Sequence, residues 1–186
     1  MSKALEYDIL DNTAIQLRLD YGFYADYLNV FELARKLNMK LIPYSQLSEK
    51  EYKSLMKFVK ENNVCPDACT IFYEKNNKIE YHTFYDDTAS KGRIRFSIAH
   101  EIKHVIFGEQ NPTEEDERMA NHFARFLLAP PCLVKKYLEY GMDYVASRFG
   151  LSLEAAWNAY DAADNREWFH IVYNNLEKEL IRLNSN

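Results

Sequence analysis

Residues 91–108 read KGRIRFSIAHEIKHVIFG, and residues 113–131 read TEEDERMANHFARFLLAPP. The first stretch is the clearest helix of the chain. Ile98, Ile102, Val105 and Ile106 give it an apolar character along its length, and Gly108 stops it. Inside it lies His100-Glu101-Ile102-Lys103-His104, an H-E-x-x-H sequence. Residues four apart stand one above the other on a helix face, so two imidazoles can grip a single metal ion. The Glu beside the first His faces the remaining coordination position. There it can take a proton from a water and pass it to a leaving amine.

A bare H-E-x-x-H arises by chance often enough that its surroundings have to decide its meaning. The alternative is a pair of ordinary helix histidines with an unrelated Glu. The apolar neighbours argue against that reading, because they predict a buried helix, and two His and a carboxylate on a buried helix need partners that a metal supplies. A catalytic zinc takes three protein ligands and keeps one position open. The helix opening at Thr113 carries Ala120, Phe123, Ala124, Leu127 and Leu128 on its buried stripe, and one turn earlier that stripe reaches Asp116 and Glu117. Glu114 and Glu115 read as acids that complement the helix dipole. Glu117 is the candidate third ligand, since Asn121 lies one turn beyond it on the same face and can orient a ligating group. His122, about 100° around the helix from Asn121, is the rival.

Elsewhere the pattern alternates helix and strand before turning wholly helical, which predicts an α+β fold. The first twenty residues give no decisive pattern. Tyr27, Leu28, Phe31, Ala34 and Leu37 recur at helical spacing and predict a helix over 24–38, followed by a short strand over 40–43. Ser48 with Glu51 signals a capping box for a helix through about Asn62. Residues 68–74 and 78–85 read as two strands, with Asn76-Asn77 suited to the turn between them. The Thr113 helix ends at Pro130-Pro131, and helical pieces broken near Gly141 and Gly150 complete the chain. Trp157, Tyr160, Trp168, Phe169 and Tyr173 fall at helical spacing in this tail and predict core packing, with an exposed subset that docks a partner as the lesser alternative.

With 186 residues and 47% hydrophobic content, the chain can bury one sizeable core. A net charge of -5 and the lack of any Lys/Arg run disfavour a direct nucleic-acid surface. No stretch is apolar for long enough to span a bilayer, and the first residues, MSKALEYDILDN, lack the apolar segment of a signal peptide. Three Cys fit a reducing compartment, and the cytoplasm is the expected location. Cys65 and Cys69 lack a second pair to complete a structural zinc site, so they read as ordinary thiols. His82, on the second strand of the pair, could line a cleft, though a lone strand His is more often structural; His170 has no assigned role.

Residues 93–131 as a whole resemble the ImmA/IrrE family of metallo-endopeptidases. That family has an R-x-R-F-S/T-x-A-H-E-x-x-H block, then Glu, Ala-Asn and F-A-x-x-L-L-x-P. Here these are Arg93, Phe96 to His104, Glu117, Ala120-Asn121, Phe123-Ala124, Leu127-Leu128 and Pro130. Residues 146–156, ASRFGLSLEAA, are similar to the family's helical tail. The resemblance implies a minimal zincin-like metallopeptidase domain, with a small sheet, the H-E-x-x-H helix and a mainly helical C-terminal half. On this reading residues 1–186 form one domain, with a zinc-binding core over 91–131 and a helical tail over 132–186. It further implies zinc as cofactor, His100, His104 and Glu117 as ligands, Glu101 as general base and Asn121 as the residue orienting a ligand.

The implied activity is hydrolysis of a peptide bond in a protein substrate, through a water activated by zinc. The implied substrate is a helix-turn-helix transcriptional repressor, of the kind that a mobile element encodes or that controls a stress response. Two other classes fit the same residues: a zinc-containing module that binds a partner without hydrolysis, and one half of a toxin–antitoxin pair. The chain departs from the family at Lys103, where Gly is usual, and at Ala129, where Met is usual. A Lys at that place requires a route to solvent or a carboxylate partner.

Overall fold

The computed structural model describes residues 3–61, 66–75 and 78–185. The chain runs α1 (Lys3–Asp20), α2 (Val30–Lys36), β1 (Met39–Pro43), a 3-10 turn (Tyr44–Gln46), α3 (Glu49–Glu61), β2 (Ala68–Lys75), β3 (Lys78–Tyr85), α4 (Lys91–Phe107), α5 (Glu114–Leu128), α6 (Pro131–Val134), a 3-10 segment (Lys135–Tyr140), α7 (Met142–Phe149), α8 (Leu153–Trp168) and α9 (Asn175–Asn184). The fold is α+β, with a small mixed sheet and a predominance of helix. Two compact units emerge: Val30–Ala120, and Met1–Asn29 together with Asn121–Asn186. No helix among the described residues is long and apolar enough to cross a membrane.

In the unit Val30–Ala120 the strand order is β1-β3-β2. β2 and β3 pair antiparallel from Ala68↔Tyr85 to Lys75↔Lys78, as two strands joined by a short turn should. The expected turn residues, Asn76 and Asn77, lie outside the described residues. β1 pairs parallel to β3, from Met39↔Tyr81 to Pro43↔Tyr85. Tyr44, Leu55, Val59 and Cys69 form a buried cluster between the sheet and α3. The capping box of α3 is realised: Ser48 N–H and Oγ both donate to Glu51 Oε2, at 2.8 and 2.6 Å, and Glu51 N–H returns to Ser48 Oγ. α4 packs against β2, β3 and α2.

α4 starts and stops where its sequence requires. Ser90 is extended and accepts from Arg93 N–H. At the other end Gly108 takes φ 68°, the left-handed conformation. Gly108 N–H reaches Val105 C=O at 3.3 Å and Glu109 N–H reaches His104 C=O at 2.9 Å, the two bonds of a Schellman motif.

The other unit is helical. α1 packs on α9, α6 on α8 and α9, and α7 on α8. Leu10, Ala14, Ile15, Leu17 and Arg18 form the buried face of α1. Arg18 is wholly buried and donates to the carbonyls of Phe23, Ala25 and Leu127. Asp26, 4% exposed, gathers Tyr137 Oη and Arg148 Nε on one oxygen, each at 2.7 Å, and Asn184 Nδ2 on the other at 3.1 Å. Burial alone would raise its carboxyl, but these hydrogen bonds and the charge of Lys136 outweigh that and hold it below the ordinary aspartate value.

Two expectations are corrected. The helix foreseen over 24–38 begins only at Val30; residues 23–29 are irregular, and Tyr27 is exposed. They carry the carbonyls and the carboxylate that Arg18, Tyr137 and Arg148 require, and a helix there would consume those carbonyls. The tail aromatics are not core: Trp157, Trp168 and Phe169 are exposed, while Tyr160 and Tyr173 are half-buried. α8 buries Ala156, Ala159 and Ala163 instead, small side chains that suit close helix approach.

Replacing Asp26 by Ala leaves Arg148 and Tyr137 without their acceptor and should lower the unfolding free energy by about 3 kcal/mol in chemical denaturation. Because the native carboxyl lies below its ordinary 3.8, its contribution is full above that pH and fades as pH falls through the native value. The gap between wild type and variant should therefore close in acid. Gly108→Ala meets open space, so only backbone strain opposes it, and a loss of about 1 kcal/mol is expected by thermal melting.

Candidate metal centre

α4 is buried almost continuously from Arg95 to Val105, and the run includes His100, Glu101, Lys103 and His104. The spacing of four sets the two rings on one face, with centroids 4.8 Å apart and Nε2 atoms facing each other at 3.0 Å. α5 brings the carboxylate. Its first turn is fixed by a capping box in which Thr113 N–H and Oγ1 both donate to Asp116 Oδ2, at 2.8 and 2.6 Å. Glu117 follows Asp116 directly, and its oxygens reach His100 Nε2 at 3.1 Å and His104 Nε2 at 3.4 Å.

His100, His104 and Glu117 thus present three donor atoms within 4.8 Å of one another. Four-coordinate zinc, with bonds of about 2.0–2.1 Å, sets its ligand atoms roughly 3.3 Å apart. The two Nε2 atoms are 3.0 Å apart, and the carboxylate approaches them through different oxygens, Oε2 at 3.1 Å from His100 and Oε1 at 3.4 Å from His104, each distance of that size. Two imidazole nitrogens and one carboxylate oxygen are also a donor set that zinc accepts, and the set leaves a fourth position open. Electrostatics point the same way. Burial would lower His104, but hydrogen bonds to Glu109 and Glu117 and the nearby Glu101 raise it to about 9. The hydrogen bonds from His100 and His104 hold Glu117 well below the carboxylate range. The cluster therefore favours a positive charge at its centre, and a proton or a metal cation can supply it.

The cluster forms part of the wall of a cleft of about 260 Å³, which Glu101, Cys69 and Thr70 of β2, and the loop from Glu109 to Thr113 also line. Glu101 is 5% exposed. Asn121 lies one turn beyond Glu117 on α5 and is half-buried. His122 belongs to the other unit, where its Nε2 meets Asp11 Oδ1 at 2.6 Å and its ring meets Tyr7 edge-on. His82 lies against Tyr73 and reaches Glu80 at 3.3 Å on the sheet. His170 sits in the exposed turn after α8 with φ 52°. Cys69 is a buried thiol, and Cys65 lies outside the described residues.

Sequence reasoning missed Glu109. Its Oε2 lies 2.7 Å from His104 Nδ1, while both its oxygens receive Lys103 Nζ, at 2.5 and 2.7 Å. The carboxylate partner that Lys103 requires is therefore Glu109. A carboxylate on Nδ1 favours the tautomer whose Nε2 lone pair faces the cluster. The available signal was a Glu one residue after the helix-stopping Gly, where a Schellman turn returns the chain to the last turn of the helix.

Residues 75–159 match the family model Peptidase_M78, described as the IrrE N-terminal-like domain. No curated protein and no solved structure matches the chain. The matched span runs from the end of β2 into α8, so it takes in both histidines of α4, the glutamate of α5 and the loop that joins them. The match spans just under half of the chain and supports its resemblance to the ImmA/IrrE family of peptidases.

Proposed function

We propose that the protein is a zinc metallo-endopeptidase of minimal zincin-like layout, in which His100, His104 and Glu117 hold the metal and Glu101 is the general base. The observation that carries this reading is the convergence of two imidazoles and a carboxylate, one ligand atom of each within 4.8 Å of the others, in the wall of a cleft that Glu101 also lines. Zinc held there would supply a Lewis acid for the scissile carbonyl and make water nucleophilic near neutral pH. Glu101 accepts the proton of the attacking water and delivers it to the leaving amine. Asn121, one turn from Glu117, helps to orient that carboxylate.

A cleft of about 260 Å³ takes a short length of peptide and not a folded domain. The scissile bond accordingly belongs to an extended or locally unfolded segment of the substrate protein. A helix-turn-helix repressor is the substrate class that the sequence resemblance implies, and the cytoplasm is where such a repressor would be met.

Two measurements test this. Purified wild-type protein should contain about one zinc per chain by mass spectrometry, and His100→Ala and Glu117→Ala should lose it; a wild type that takes up no zinc on reconstitution would sink the proposal. Glu101→Gln should keep its zinc while cleavage of a fluorogenic peptide library falls on the order of 10²- to 10⁴-fold. Unchanged biological activity in that variant would instead favour a partner-binding protein that uses no hydrolysis.

A further inference from the structure

Lys103 is buried to 1% of its side chain. A buried ion pair is a poor source of net stability, because apolar residues of similar volume commonly do as well or better. Its neighbours indicate another role. Lys103 Nζ holds both oxygens of Glu109, at 2.5 and 2.7 Å, and donates to the backbone carbonyl of Asp116 at 3.2 Å, with Asp116 Oδ1 at 3.8 Å. The ring of Phe107 lies 5.6 Å from the ammonium. Glu109 in turn meets His104 Nδ1 at 2.7 Å, and Asp116 is the residue before Glu117. One ammonium thus reaches, each time through a single intermediary, two of the three donor residues, one on each helix.

We propose that Lys103 and Glu109 are positioning residues for the metal centre: Glu109 orients the His104 ring, and Lys103 fixes Glu109 to the first turn of α5, which carries Glu117. The inference rests on the reading of His100, His104 and Glu117 as metal ligands. Three features support it. Glu109 is at once the Schellman residue whose N–H bonds His104 C=O at 2.9 Å and the residue whose carboxylate holds that His104 ring. Backbone and side chain of one residue therefore fix backbone and side chain of the other. A glutamate side chain with three rotatable bonds would otherwise find water, and the Lys103 ammonium removes that freedom. Lys103 also joins the end of α4 to the start of α5 and so limits how far Glu117 can move from the two histidines.

The test is a double-mutant cycle on zinc affinity, by chelator competition, with Lys103→Met, Glu109→Gln and the double variant. Melting of the zinc-free proteins and the visible spectra of their cobalt-loaded forms are read alongside. Each single variant should bind zinc about tenfold more weakly or worse. The double variant should lose less than the product of the two single losses, because Lys103 acts in part through Glu109. Glu109→Gln leaves a buried cation without its carboxylate and should melt lower when zinc-free. The double variant removes both charges and should melt within a few degrees of wild type, while its zinc affinity stays low and its cobalt bands, which follow ligand geometry, stay shifted. Single variants within twofold of wild type would overturn the inference, as would losses that multiply in the double variant or that track lost melting temperature. Should Lys103→Met not fold, Glu109→Gln, isosteric and neutral, decides by the same affinity and cobalt readings. A wild type that binds no zinc would instead remove the metal reading itself, a separate failure visible before any variant is made.

Discussion

Four ionisable side chains, His100, Glu101, Lys103 and His104, occupy five successive positions of a helix that is buried around them. Charge and hydrogen-bonding capacity taken out of water must be matched locally, because an unpartnered buried charge is among the most destabilising features a fold can contain. Much of the unit Val30–Ala120 follows from that demand. Glu117 comes from the next helix to face the two rings, Glu109 folds back from beyond the helix end, and Asp116 presents its carbonyl to Lys103. The capping box at Thr113 and the left-handed Gly108 are the local devices that bring those carboxylates into place.

The same economy recurs in the helical unit, where no metal-binding cluster is found among the described residues. Arg18 is sealed inside by three backbone carbonyls, and Asp26 by a phenol, a guanidinium and an amide. Glu177, 2% exposed, is held in a fork by Arg166 while it closes the capping box of α9. Polar anchors at the core, with alanines between α8 and its neighbours, leave Trp157, Trp168 and Phe169 outside.

Features with local causes were legible in the sequence. The limits of α4 follow from Ser90 and Gly108, the start of α3 from Ser48 and Glu51, and the strands from their β-branched and aromatic content. The convergence of His100, His104 and Glu117 follows from helical spacing on two helices. What escaped depended on tertiary partners. α1 was obscure because its buried stripe includes a charged residue, Arg18, while Leu5 and Ile9 on the same helix are exposed, so no clean amphipathic pattern exists to be read. Residues 24–29 carry apolar side chains at helical intervals, yet the chain uses their backbone as acceptors. Glu109 was hidden because its role arises from the turn that Gly108 makes, not from any residue spacing.

That turn also sets rules of length. From His104 to Glu109 the chain has no slack: one added or deleted residue would break the Schellman bond and withdraw the carboxylate from the ring in a single event. Between Gln110 and Pro112 no such backbone bond is found among the described residues, and these residues line the cleft. Insertions among relatives should accordingly gather in the second segment and spare the first, so that the cleft can be reshaped for new sequences without disturbing the spacing of the three donors.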